Sequence, residues 1–233
     1  MTHMKAIKTK HEASEGFSAE AGFSIMELMI GMFITLILSG LAMTLLVSSF
    51  NVRARENQKT SALSDAQRAL NIMTREIANA GFGLSTNGIV AAESGASTIR
   101  FRANLNALDG ETTSGLVSDS NEDVKFTLFS GGGQSYVERV DVNTGARTTV
   151  LANRVDALRI YYFADKVDYT SGNCLIAASA NEVIDKTKAK YLVIVVCVEL
   201  PPRGTPGSPG YQPASQVQLV SDVMLRNSDL PNY

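Results

Sequence analysis

Residues 23–50, FSIMELMIGMFITLILSGLAMTLLVSSF, form an apolar run in which Glu27 is the only charged residue. A membrane-spanning helix needs roughly 20 mostly apolar residues, so this run is long enough to cross a bilayer. Beyond it the pattern changes without breaking. Leu63, Ala66, Leu70, Met73 and Ile77 recur at alternating steps of three and four, which marks one face of an α-helix. Ala62, Ala69 and Ala80 widen that stripe, while Glu56, Lys59, Asp65, Arg68 and Arg75 lie on the opposite face, as expected for water. No proline occurs between Phe23 and Ile77, so nothing forces a break where the membrane would end. The pattern predicts one helix over residues 24–80, roughly 85 Å long at 1.5 Å per residue. Gly81-Phe82-Gly83 supplies its stop, because glycine adopts the left-handed cap conformation freely.

After Gly83 the period shortens to that of strands. Segments 97–102 (STIRFR), 124–129 (VKFTLF), 136–142 (YVERVDV) and 147–151 (RTTVL) are short, and several alternate in the half-buried manner. Gly131-Gly132-Gly133 and Asn143-Thr144-Gly145 fall between them as hairpin turns. Segments 155–163 (VDALRIYYF) and 191–200 (YLVIVVCVEL) read as the strongest strands. The second is almost wholly apolar and is expected centrally in the sheet, under the helix. Segment 217–225 (VQLVSDVML) closes the set. The fold class is therefore α+β: an antiparallel sheet packed on one long helix. The organisation reads as a leader over 1–22, a transmembrane or filament-core helix over 23–50, its amphipathic continuation over 51–83, and a globular domain over 84–233.

Charge and chemistry narrow the function. The 233-residue chain carries a formal net charge of -2 with acids and bases mixed. It lacks the basic stripe needed to hold a phosphate backbone, so no specific nucleic-acid partner is expected. Both histidines, His3 and His11, precede Gly22. Without residues 1–22 the chain has no histidine, hence no usual general base near neutral pH and no commonest zinc ligand. Only Cys174 and Cys197 supply thiols, too few for a thiolate zinc cluster. Ser-His-Asp and Cys-His hydrolysis are excluded for such a chain. No enzyme activity, catalytic residue, cofactor or metal is expected. Asp119-Ser120-Asn121-Glu122-Asp123 is rich in oxygen ligands for calcium, yet it lacks the glycine-punctuated spacing of an EF-hand loop and reads as a solvated turn.

The apolar run has two plain explanations. A secretory signal peptide has an apolar region of only about 7–15 residues and ends at a small-x-small site, which this run does not match. An ordinary single-span anchor explains everything but Glu27. A carboxylate in the hydrocarbon core costs on the order of 2.5–3.5 kcal/mol on translocon scales and is usually paired. Glu27 stands four residues after Phe23. If the chain begins at Phe23, its α-amine lies about one helical turn away, some 6 Å along the axis. A neighbouring subunit's α-amine meeting Glu27 in an apolar filament core would reward correct axial register.

Gly22-Phe23-Ser24-Ile25-Met26-Glu27-Leu28 resembles the prepilin cleavage motif of type IV pilins and type II secretion pseudopilins. The resemblance implies cleavage between Gly22 and Phe23 by a membrane aspartyl prepilin peptidase, N-methylation of Phe23, and an assembly role for Glu27. Gly16-Phe17-Ser18-Ala19-Glu20 is a decoy, with its glutamate one residue too early and no apolar run behind it. The leader departs from the family's pattern: Lys5, Lys8 and Lys10 are distant from the cut, and Glu12, Glu15 and Glu20 intervene. Arg53 and Arg55 flank the far end of the run, so the positive-inside signal is weak. A cytoplasmic N-terminus, a single pass through the inner membrane and a periplasmic globular domain, later incorporated into a pilus or pseudopilus, follow from the resemblance.

In that topology Cys174 and Cys197 face an oxidising compartment, where a disulfide is expected to tie the irregular 165–189 stretch to the central strand. Two independent free thiols are the alternative, with Cys197 as a small core residue. Residues 201–213, PPRGTPGSPGYQP, cannot form a regular element and read as a surface connection, or as a contact loop for a neighbouring subunit. Arg75-Glu76 with Ala80-Gly81-Phe82, segment 155–165 with its paired aromatics, and Leu225-Arg226-Asn227 are similar to matching segments of PilW-like minor pilins. That likeness implies a low-abundance subunit that starts assembly or sits at a tip. Its expected partners are the peptidase, other pilins and minor pilins, and the inner-membrane assembly platform. A J-type minor pseudopilin of type II secretion is the close alternative. A single-span membrane protein with a periplasmic ligand-binding domain is the alternative from another class.

Overall fold

The computed structural model describes residues 22–106, 117–132, 134–148 and 155–228. The leader up to residue 21, with both histidines and the decoy motif, lies outside them. So do Gly133 and residues 149–151 of the expected 147–151 strand. The two hydrophobic patterns belong to one helix, α1 (Ile25–Ile77, 53 residues). The chain divides into two compact units, one ending at Leu46 and the other spanning Val47–Tyr233.

In the first unit α1 is apolar on every side. None of its most apolar 18-residue window is buried, which is the character of a span and not of a helix inside a soluble core. Among the described residues α1 is the one helix long and apolar enough to cross a membrane. Its two threonine hydroxyls in this unit are satisfied internally: Thr35 donates to the Met32 carbonyl at 2.8 Å and Thr44 to that of Leu41 at 2.7 Å. Those bonds remove the penalty that free hydroxyls would carry in hydrocarbon.

In the second unit α1 buries Ala62, Ala66, Ala69, Leu70, Met73 and Ile77. Leu63, expected on this stripe, is instead 45% exposed. The buried face is centred on the alanines, whose small side chains let the helix backbone approach the sheet. The helix tightens as it ends, the Ala80 N–H reaching the Ile77 carbonyl at 2.9 Å. Gly81 then takes a φ of 79°, where an added Cβ would meet the Thr86 carbonyl at 2.6 Å. The Leu225-Arg226-Asn227 segment closes this end. The Arg226 N–H donates to the Ala78 carbonyl at 3.3 Å, and the Asn227 amide donates to that of Ala80 at 3.2 Å. These bonds satisfy carbonyls that a helix end leaves without partners. Glu76 accepts from Arg139 at 2.8 Å, tying the same turn to the sheet.

The expected single sheet is three sets of strands. β1 (Thr98–Arg102), β2 (Asp123–Gly131), β3 (Gln134–Asp141) and β4 (Arg147–Thr148) form an antiparallel sheet in that order. β5 (Ala157–Phe163) belongs to a second sheet, and β6 (Tyr169–Gly172) with β7 (Leu175–Ala178) makes a hairpin. β8 (Tyr191–Leu200) and β9 (Ser215–Met224) complete the second sheet, whose order is β5-β8-β9. The α+β class holds: one long helix with antiparallel sheets. β8 is central, as its composition requires, because both of its faces are covered. Leu192, Ile194, Val196, Val198 and Leu200 join the core beneath α1. Tyr191 and Val193 point the other way into a second cluster with Phe163 and Val167, covered by Tyr169, Ile176 and Ala178 of the hairpin.

That hairpin corrects the reading of 165–189 as irregular. Its two-residue turn is Asn173-Cys174, with φ of 50° and 62°. Such turns favour Asn-Gly, so a cysteine in the second place hides the signal. Cys174 is disulfide-bonded to Cys197 of β8, with Cα atoms 5.9 Å apart. The Cys174 N–H also donates to the Gln218 side chain at 3.0 Å. Closing a loop with a sequence separation of 23 residues is worth roughly 3 kcal/mol in the chain-entropy model. Replacing both cysteines by serine is therefore expected to lower the unfolding free energy by about that amount, read as a lower urea midpoint. Amide protection should drop first in β6 and β7; an unchanged midpoint with unchanged protection would contradict the stapled hairpin.

Two carboxylates organise the β1–β4 sheet. Asp123 accepts from Arg100 Nε at 2.7 Å and from Arg102 Nε at 2.8 Å. Asp141 accepts from Ser120 Oγ at 3.0 Å and from the N–H groups of Asn121 at 2.9 Å and Asn143 at 3.1 Å. Burial disfavours the charge on each, but the donors overcome it and hold both carboxyls below the ordinary range. A depressed folded pKa gives stability that is complete above the unfolded value, roughly 4, and is lost as pH falls through the folded value. Thermal unfolding is thus expected to be insensitive to these groups from pH 7 to about 5 and to weaken below about 4. Asp123→Asn should flatten that acid limb, and equal midpoints at pH 7 and 3 would contradict it.

Candidate functional site

The residues singled out for processing and assembly lie at the start of α1. Ser24 and Glu27 form a reciprocal cap there. The Ser24 hydroxyl accepts from the Met26 N–H at 3.3 Å, and Glu27 Oε2 accepts from the Ser24 N–H at 3.1 Å. The Ser24 carbonyl takes the Leu28 N–H at 3.1 Å, the first bond of the helical ladder. A serine followed three residues later by glutamate is a capping-box arrangement, which fixes the helix start close behind the Gly22–Phe23 bond. From sequence, Glu27 was assigned a favourable place at the helix N-terminus and a pairing with an α-amine, but no capping bond. Its cap was legible in the Ser24-x-x-Glu27 spacing.

Gly22 stands just outside the helix, and among the described residues nothing packs against it. A Cβ built on it meets nothing within 4 Å, so this fold does not require glycine at that position. Phe23 is 86% exposed. The peptide bond between them is sterically open, as substrate for a peptidase must be, and Glu27 lies one turn beyond it. No other ionisable side chain occurs from Phe23 to Phe50. The negative group also sits where the helix dipole favours it.

Arg55, read from sequence as a weak topological signal, has a packing role. It is buried, and it donates to the carbonyls of Pro201 at 2.6 Å and Pro213 at 2.7 Å and to Ser215 Oγ at 2.7 Å. One planar guanidinium thus ties both ends of the 201–213 connection to α1. Gly210 carries the close approach: at φ 79° its hypothetical Cβ would lie 2.5 Å from Ser48 Cα. The connection remains largely exposed and irregular, with one bridge between Arg203 and Gln212.

The oxygen-rich 119–123 turn uses its ligands internally. Glu122 accepts the N–H groups of Leu105 at 2.9 Å and Asp119 at 3.0 Å. Among the described residues no group of three or more His, Cys, Asp or Glu side chains is arranged to hold a metal ion.

No protein-family model matches the chain, and no curated protein matches it. Among solved structures it is similar to the type IV-like pilin TTHA1219 from Thermus thermophilus, with 16% sequence identity and a TM-score of 0.38. The match covers 71% of this chain and 97% of that chain. A score that low adds nothing to what the residues say. The apolar, unburied start of α1 followed by a folded antiparallel domain is consistent with a single-pass membrane anchor carrying a globular domain.

Proposed function

We propose that this chain is a pilin-like filament subunit, made as a membrane-inserted precursor and cut between Gly22 and Phe23. One observation carries the reading. Glu27, a lone carboxylate, caps a helix start one turn from the Gly22–Phe23 bond, and no other described residue buries the most apolar window of that helix. Cleavage by a prepilin peptidase would create the Phe23 α-amine, the group then N-methylated. An assembly platform would draw the helix from lipid into a filament core, where Glu27 meets a neighbouring subunit's amine. The function is structural, and none of these steps uses a catalytic residue of this chain.

Within the family, the proposed role is a PilW-like minor pilin that initiates assembly or sits near a tip. Support comes from the segments that carry the resemblance. Glu76 and Leu225-Arg226-Asn227 both close the end of α1 onto the sheets, so the likeness falls on positions with a defined structural task. Epitope-tagged full-length protein, followed through shearing and fractionation of surface filaments, tests this. The tag is expected in the filament fraction at far below the level of the main subunit. Retention in the membrane fraction, with none in filaments, would leave the anchor reading. Co-purification with secretion-channel components would assign the J-type pseudopilin instead.

A further inference from the structure

β9 is the outermost strand of its sheet, paired with β8 along all ten residues and with no other strand. The bond from the Leu225 N–H to the Lys190 carbonyl, 2.8 Å, sets the phase of that ladder. Odd-numbered residues of β9 direct their backbone groups to β8. Gln216, Gln218, Val220, Asp222 and Met224 direct N–H and C=O the other way. Among the described residues, none of these outward groups has a partner. The sequence SQVQLVSDVM carries little of the usual protection of an edge: no proline, no lysine and one charge, Asp222.

Among the described residues, the edges of β5 and β1 already carry partners. On β5, the Ile160 N–H donates to the Ala96 carbonyl at 2.8 Å, and the Tyr162 carbonyl accepts from Val183 at 2.9 Å. Glu182 takes the Tyr162 N–H at 3.2 Å. On β1, Val90 donates to the Arg100 carbonyl at 2.9 Å and Arg102 to that of Gly88 at 2.8 Å. β4 is only two residues long. Among the described residues, the β5 and β1 edges are thus capped at these positions, while one of the two longest strands has an outer edge without a partner.

An alternating row of donors and acceptors along ten residues is matched by one kind of ligand, an extended backbone. We infer that the open edge of β9 receives a strand from a different pilin-like subunit of the same filament. This rests on the proposed function. The direction of β9 argues against a second copy of this chain joined antiparallel through the same edge. Arg55 of α1 bonds Ser215 at the start of β9, and the Ala78 carbonyl takes Arg226 just past its end. The 23 residue steps from Arg55 to Ala78 rise about 35 Å along the helix, as do the 11 strand steps from Ser215 to Arg226. β9 therefore runs alongside this part of α1 in the same direction. Two copies joined antiparallel through β9 would point these helical segments in opposite directions, whereas filament subunits share one direction. A copy offering β1 or β5 meets a closed edge. Asp222, exposed and the sole charge on β9, favours an incoming strand with Lys or Arg beside it.

The test places a photoreactive benzophenone amino acid at Gln216 or, separately, at Met224 of the full chain in its native membrane. The expected adducts fall on one strand of a second pilin-like subunit, about eight residues apart, the spacing of side-by-side extended chains. Val220→Pro should reduce both adducts at least tenfold with the disulfide and thermal midpoint intact, because it removes an N–H that only the open edge uses. Asp222→Lys, which leaves the backbone alone, should reduce them several-fold. Adducts only to a second copy, to a helix or to lipid overturn the inference. So does the absence of any adduct from a chain that is cut at Phe23 and present in filaments, an outcome that leaves the proposed function standing. A chain that is neither cut nor incorporated overturns both.

Discussion

Replacing Gly22 by valine is expected to leave a full-length, membrane-bound precursor that is absent from filaments. The structure separates this effect from misfolding. A side chain at Gly22 meets nothing within 4 Å, and the helix begins only at Ile25. Valine therefore disturbs neither the cap at Ser24 and Glu27 nor the globular unit. Its β-branched bulk falls on the bond to be cut, where a peptidase must fit the chain closely. Immunoblots should show a single band heavier by the leader, with normal disulfide formation in the globular domain. Normal maturation of the variant would mean that the cut lies elsewhere.

The second large effect is expected at Glu27. Glu27→Val should be cut normally yet enter filaments at least tenfold less often. Two smaller consequences of the substitution can be weighed against that. Losing the bond to the Ser24 N–H, 3.1 Å in the structure, weakens the helix start by about 1 kcal/mol or less. Removing a carboxylate from the hydrocarbon core favours insertion by on the order of 2.5–3.5 kcal/mol. The variant is thus better suited to the membrane, and poor incorporation cannot be blamed on failed insertion. What it lacks is a charge for a neighbour's amine. Glu27→Gln separates the contributions, since an amide oxygen still caps the helix but carries no charge. It should assemble nearly as poorly as valine. If both variants enter filaments normally, the register argument is wrong. A low-copy subunit tolerates more than a bulk one, so the comparison belongs in competition with the wild-type chain.

The elements with strong periodicity were legible in the sequence. α1 fell within a few residues of its expected bounds, and β8 was placed centrally from composition alone. Local pattern gave out where a residue's task is set by distant partners. Arg55 read as one charge among many, because the carbonyls it binds come from the other end of the chain, at Pro201 and Pro213. The β6–β7 hairpin was missed because Cys174 stands where glycine would announce the turn, held there by a partner 23 residues away. Leu63 was assigned to the buried face from its apolarity, yet a helix lying close against strands prefers alanines at the contact. Asn227 has no periodic signature; its value lies in the carbonyls of Asn79 and Ala80, which only the folded chain brings near. Gly22, Phe23 and Glu27 were singled out by resemblance to the prepilin motif, and all three lie at the start of α1, where they are exposed among the described residues.

The central claim is a cut between Gly22 and Phe23 that frees an amine one turn from Glu27. Intact-mass measurement and N-terminal peptide sequencing of the tagged protein, purified from its native membrane and from sheared filaments, address it directly. A chain that begins at Phe23, with added mass for methylation on its α-amine, is the expected result. A chain that retains residues before Phe23, in filaments or in membranes with an active peptidase, would contradict it.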